Sequence, residues 1–157
     1  MSENIFFSDV SLNFNAIGEG IDKEYLDSII SADFEGKEYF AKFYAFHNGV
    51  IFPEGAEFTG KQSQKIGFEV ELIYEADRIK KRWEGIKKHS EEAVKMAKTH
   101  FPFSSDAAGN QYLIEFQTGV VKFVSWEDFS EKESMDTLQV VTSSFKDFCL
   151  GLRKWTY

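Results

Sequence analysis

From Phe101 the chain reads Phe101-Pro102-Phe103-Ser104-Ser105-Asp106-Ala107-Ala108-Gly109-Asn110. It continues Gln111-Tyr112-Leu113-Ile114-Glu115-Phe116-Gln117-Thr118-Gly119-Val120-Val121-Lys122-Phe123-Val124-Ser125-Trp126. Two apolar segments rich in β-branched and aromatic residues flank Gln117-Thr118-Gly119, which predicts a β-hairpin turning on those three residues. The polar run Ser104–Asn110 predicts a loop feeding the first strand, with Gly109 and Asn110 suited to left-handed backbone. Nothing in the block supplies a nucleophile with its base, a metal cage or a phosphate cradle.

Outward from the hairpin, the hydrophobic pattern alternates between helical and strand periods. Towards the N-terminus, Val10, Leu12 and Phe14 share one face of a possible edge strand. Asp22 is a candidate cap for a helix from Lys23 to about Ile30, with Tyr25, Leu26, Ile29 and Ile30 as its stripe. A second helix is expected after Gly36, carrying Tyr39, Phe40, Phe43, Tyr44 and His47 and ending at Asn48-Gly49. Pro53-Glu54-Gly55 predicts a turn, and 59–65 is a polar, flexible stretch by composition. Phe68–Tyr74 predicts a strand with one wet face. Ile79, Trp83 and Ile86 lie at helical spacing in a basic segment, and Ser90 is placed to cap a further helix with Ala93, Val94, Met96 and Ala97.

Beyond the hairpin, 127–136 is expected to be an acidic loop, and Leu138–Val141 a short strand. A final helix should begin at Ser143 or Ser144, with Phe145, Phe148, Cys149 and Leu152 on its apolar face. The order of elements predicts a single α+β domain over 1–157, with mostly antiparallel strands, because no regular crossover helices separate them.

Composition sets limits on function. With 157 residues, 43% hydrophobic and 17 of them Phe, the chain has enough apolar material for a core and is no disordered polyanion. The net charge of −8 is unevenly placed. Arg78–Lys98 holds eight Lys/Arg against three Asp/Glu, leaving 10 basic and 23 acidic residues elsewhere, a balance of −13. A surface that acidic is expected to repel nucleic acid and anionic membrane and to speed encounter with a basic partner; keeping the protein soluble is the alternative that composition alone leaves open. Cys149 has no second cysteine to pair with and falls on an apolar helix face, so it is expected to act as a small hydrophobe. The start Met1-Ser2-Glu3-Asn4 lacks the pattern of a signal peptide, and no apolar run approaches the ~20 residues of a membrane span, so a cytoplasmic protein is expected.

Known chemistries find little support. His47, His89 and His100 lack ligand spacing, and no cysteine pair exists for zinc. The Asp106–Asn110 segment has too few carboxylates for a calcium loop. Ser104-Ser105 and Ser143-Ser144 lie outside any Gly-x-Ser-x-Gly frame, and phosphate-binding glycine motifs are missing. Glu69 and Glu71 share a strand face, which exposed alternation explains without acid–base work. Lys80, Lys81, Arg82, Lys87 and Lys88 with Trp83 resemble a nucleic-acid surface, but Trp83 belongs to the stripe of Ile79 and Ile86 and so to the core. No catalytic residue, cofactor site or metal site is assigned.

Four segments together resemble the SUKH superfamily, the Smi/Knr-like proteins. Phe40-Ala41-Lys42-Phe43-Tyr44-Ala45-Phe46-His47-Asn48-Gly49-Val50 is similar to the family's helix ending in Asn-Gly-Gly, with Val50 in place of the second glycine. Phe101–Asn110 is similar to its pro-phe-ala-xxx-asp-gly-gly-asn segment, with Ala108 in place of a glycine. Gln111–Trp126 resembles the hairpin that follows. Val141-Thr142-Ser143-Ser144-Phe145-Lys146-Asp147-Phe148-Cys149-Leu150-Gly151-Leu152 resembles the closing ala-ser-ser-phe-x-x-phe-leu-x-gly helix. A leucine-proline pair usual before the second helix is missing.

The resemblance implies the same α+β class, with a mostly antiparallel central sheet flanked by helices, and a non-catalytic protein-binding domain. More narrowly, it implies a bacterial immunity protein that neutralises a cognate polymorphic or contact-delivered toxin, commonly a nuclease, by stoichiometric docking. Glu54, Glu57, Asp106, Glu127, Asp128, Glu131 and Glu133 are the candidate contacts for a basic toxin. The protein itself is expected to be a monomer or weak dimer. An intracellular regulatory scaffold of the Smi/Knr type is the alternative, and a small enzyme a more distant one.

Overall fold

A computed structural model describes residues 5–59 and 67–156. Their elements are β1 (Asn15–Glu19), α1 (Lys23–Ile29), α2 (Lys37–Phe46), β2 (His47–Phe58), β3 (Phe68–Ile73), α3 (Ala76–Ile86) and α4 (Glu91–Thr99). There follow β4 (His100–Ser105), β5 (Gln111–Glu115), β6 (Val121–Val124), α5 (Trp126–Lys132), a 3-10 turn (Met135–Thr137), β7 (Gln139–Thr142), α6 (Phe145–Gly151) and β8 (Leu152–Lys154). All eight strands form one antiparallel sheet in the order β1 to β7, with β8 pairing β2. The expected α+β architecture is therefore present. The polar stretch expected at 59–65 lies outside the described residues from position 60 onward.

Helices cover both faces of the sheet, because alternate residues of a strand point to opposite sides. Tyr112 and Ile114 of β5 pack with Phe40 and Phe43 of α2 and Phe145 and Phe148 of α6 in the larger core. Leu113 and Val124 belong to a smaller core with Ile86 of α3, Met96 of α4 and Phe129 of α5. Trp83 packs against both cores, and its indole N–H donates to the Ala97 carbonyl at 2.8 Å. The tryptophan on the basic helix is an anchor.

Helix starts follow their caps. The Asp22 carboxylate and the Ser90 and Ser144 hydroxyls accept from the N–H groups of Tyr25, Ala93 and Asp147, as the sequence predicts. Five expectations are corrected. The segment 10–14 is no strand: the Asp9 carboxylate takes the Ser11 N–H at 3.0 Å and its hydroxyl at 2.7 Å, closing a turn, and the edge strand starts at Asn15. Asn48 and Gly49 do not end α2 but lie within β2, where Gly49 has φ 83° and a Cβ would meet the Glu75 nitrogen at 2.7 Å. Pro53-Glu54-Gly55 is a bulge inside β2. Between Ile51 and Ala56 that strand advances five residues while β3 advances from Leu72 to Val70.

Ser104 and Ser105 are buried members of β4, not loop, so the loop shrinks to 106–110. The acidic 127–136 segment is α5 and the 3-10 turn, begun by the Ser125 hydroxyl accepting from the Asp128 N–H. Strand β8 carries no sequence signal of its own. It takes the edge of β2 beyond the bulge, while β1 takes the same edge before it.

Candidate functional site

The Asn48 side chain reaches across to α3, where its Oδ1 accepts the Ala76 N–H at 2.8 Å. That satisfies one of the orphan donors of a helix start whose own N-cap, Glu75, makes no capping hydrogen bond through its side chain. Helix α3 is thereby held along the end of β3, and its polar face forms one wall of a cleft of about 420 Å³. Arg78, Lys81, Arg82 and Gly85 line that wall, with His89 at its end. The floor is a row of directly opposed strand residues, Leu72, Ser105 and Gln111. The far wall is the turn at Asp106, Ala107 and Gly109, and Trp126 closes one end.

A chain of hydrogen bonds fixes the floor. The Trp126 indole N–H donates to Gln111 Oε1 at 3.0 Å, and Gln111 Nε2 donates to the Tyr74 hydroxyl at 3.0 Å. The Trp126 backbone N–H is taken by Asn110 Oδ1 at 3.1 Å. Gln111 is thus a buried amide with both ends engaged, which is the condition for burying it at all.

The far wall is equally committed. Asp106 Oδ1 accepts from the N–H groups of Ala108 at 3.0 Å and Asn110 at 2.8 Å, and its Oδ2 accepts from Asn110 Nδ2 at 3.1 Å. Glu69 Oε1 takes the Ala107 N–H at 3.0 Å. Burial raises the Glu69 pKa above the ordinary range; the Ala107 bond works against this, and repulsion from Asp106 and Glu71 adds to it. Gly109 supplies the φ of 91° that the turn requires, while Ala108 does not need a positive φ.

The basic wall is less occupied. Arg78 lies 3.8 Å from Glu75, but among the described residues Lys81 and Arg82 have no ion pair. Lys87 lies over the Trp83 ring at 5.1 Å. His89 Nε2 is 3.1 Å from the Ser130 hydroxyl, and its ring is 4.8 Å from that of Trp126. This histidine–serine pair ties the turn after α3 to α5. It has no carboxylate bonded to the imidazole among the described residues, so the base lacks the third group that a nucleophilic triad uses to orient it. Nor do the described residues contain three His, Cys, Asp or Glu side chains grouped as a metal site.

The seven acidic candidates separate into two groups. Asp106 lines the cleft, while Glu127, Asp128 and Glu131 stand exposed on α5, whose first residue is Trp126. Glu133 ends that helix with φ 47°. Glu54 and Glu57 belong instead to β2, separated from β5 by two intervening strands. Glu54 is hydrogen-bonded to Asn13 and lies 3.9 Å from Lys154, and Glu57 accepts from the Thr156 hydroxyl at 3.3 Å. Sequence patterns did not single out Tyr74, Gln111 or Trp126 for the floor, nor Asn48 as a cap on another helix.

Residues 37–151 match the model of the SMI1/KNR4 family (SUKH-1). The chain belongs to this family. The matched stretch opens with α2 and closes with α6, so the whole SUKH cleft lies inside it, and β1, α1 and β8 lie outside. No curated protein matches the chain. SUKH domains in general bind partner proteins and are non-catalytic. Of the two glycine replacements among the departures from the family pattern, Val50 is accommodated because it points into the core opposite Ile73, fully buried. Ala108 is accommodated because it is exposed. Among the described residues no helix is long and apolar enough to cross a membrane.

Proposed function

We propose that this SUKH domain is an immunity protein, which neutralises a cognate bacterial toxin by stoichiometric binding in the cytoplasm and catalyses nothing itself. The observation that carries the proposal is the acidic face of α5. Glu127, Asp128 and Glu131 are exposed there, and among the described residues none of them is in an ion pair. Carboxylates left without internal partners are available to a basic surface, such as that of a nuclease. Charges of this kind raise the rate of encounter and fix orientation more than they add affinity. The family supplies the second support, since its members bind proteins.

The test is co-expression with the product of the neighbouring toxin-like reading frame, followed by size-exclusion chromatography of the mixture. Growth rescue and an equimolar complex are expected. Rescue without a complex, or turnover of the toxin by catalytic amounts of this protein, would overturn the stoichiometric reading.

A further inference from the structure

The cleft beneath α3 has a wall of opposite sign to α5, and its chemistry is different. Its acidic side is spent in part: three donors occupy the Asp106 carboxylate, while half-buried Glu71, which also lines the cleft, has no ion pair among the described residues. Its basic side is not, because Lys81 and Arg82 project from a helix whose apolar side is pinned by Ile79, Trp83 and Ile86. The floor is rigid and polar, with Gln111 held between Tyr74 and Trp126. At about 420 Å³ the cavity falls within the ~300–1,000 Å³ range of pockets that accept small ligands.

We infer that this cleft receives an acidic segment of a partner protein, whose carboxylates meet Lys81 and Arg82. A carboxylate suits the site because the exposed groups there without an ion pair among the described residues are an ammonium and a guanidinium fork, and charge-assisted bonds to a carboxylate are about twice as strong as neutral ones. Nucleic acid fits less well. Its charges are closely and evenly spaced, roughly one per 1.7 Å of duplex. Half-buried Glu71 lines the same cleft, and the chain outside Arg78–Lys98 carries a balance of −13. A peptide carrying a few carboxylates can engage the α3 wall alone; a polyphosphate must also face the acidic remainder. The inference rests on the reading of this chain as a protein-binding domain, and it names the chemistry of one part of that partner.

The experiment is a nuclear magnetic resonance titration of the isotope-labelled full chain with a hexaglutamate peptide at low salt. Hexalysine and an oligothymidylate of equal charge serve as comparisons. Saturable shifts are expected for the Trp126 indole and the amides of α3, with the Trp155 indole unmoved. The exposed double variant Lys81→Glu/Arg82→Glu should weaken binding by about tenfold or more, while Asp128→Lys/Glu131→Lys should not weaken it. Thermal melts of each variant show whether the fold is retained, and Lys81→Arg should restore binding to near the parent value. No saturable shift, binding that survives the charge reversal, or tighter binding of oligothymidylate at the same residues would each overturn the inference. Loss of the peptide effect with toxin rescue intact removes the acidic-segment site alone, and failed rescue with peptide binding intact removes the immunity reading alone.

Discussion

His47 begins β2 inside a ring of aromatic side chains, with Phe6, Phe14, Phe43 and Phe46 at centroid distances of 5.5–6.4 Å. Its Nε2 is buried without a hydrogen-bond partner, and burial holds its pKa below the ordinary 6.5. His100 is lowered too, first by burial and then by Lys122, whose Nζ lies 3.1 Å from its Nε2. In both cases the folded state binds the proton less readily than the unfolded chain. Their contribution to stability is therefore complete above about pH 6.5 and is lost as the pH falls towards the folded-state values. Each such histidine adds at most ~1.4 kcal/mol per pH unit to the slope. Denaturant melts at about pH 7.5 and about pH 5.5 should show this loss, and His47→Phe should reduce it. A His47→Phe protein with the full parental slope would assign the whole effect to other groups.

At the scale of elements, α6 is the simplest case. Phe148 is fully buried, with ring centroids 5.8 Å from Phe58, 5.1 Å from Phe103 and 5.4 Å from Tyr112. Phe148→Ala is expected to cost about 3–5 kcal/mol, read from urea unfolding, because the three rings around it cannot all close the gap. Asn48 joins two elements, and Asn48→Ala should cost about 1 kcal/mol by leaving the Ala76 N–H uncapped. Asn48→Asp keeps an acceptor at that point and should recover most of the loss. Helices α1, α4 and α6 were legible because a capping side chain precedes a regular apolar stripe in each. Helix α5 was not: its seven residues hold one buried side chain, Phe129, too few to show a period among the acidic residues. In β2, the glycines that suggested breaks are accommodated by left-handed residues and a bulge within a continuing strand. The cleft was the least legible feature. Its floor joins Gln111 to Tyr74 across 37 residues and to Trp126 across 15, and no local pattern encodes a contact at that range.

Over the whole molecule, the unequal charges in the sequence become adjacent surfaces of opposite sign. Ile86 of basic α3 and Phe129 of acidic α5 pack into the same small core, and the His89–Ser130 contact joins the turn after α3 to α5. A protein that docks here meets both signs side by side, so its approach is oriented as well as accelerated. At long range the acidic remainder dominates, with a net −8 over the chain. Attraction of a basic toxin should then extend over about a Debye length, ~10 Å at 0.1 M salt. The association rate with the toxin is expected to fall as salt is raised. Asp128→Lys with Glu131→Lys should slow association most at low salt, with the two rates converging at high salt. Thermal stability should change little, because exposed, unpaired charges contribute little to folding. Stopped-flow mixing of parent and double variant with the toxin across a salt series makes the measurement. A parental rate that does not vary with salt would remove electrostatic steering from the account, and the acidic face of α5 would then have no part in finding the partner.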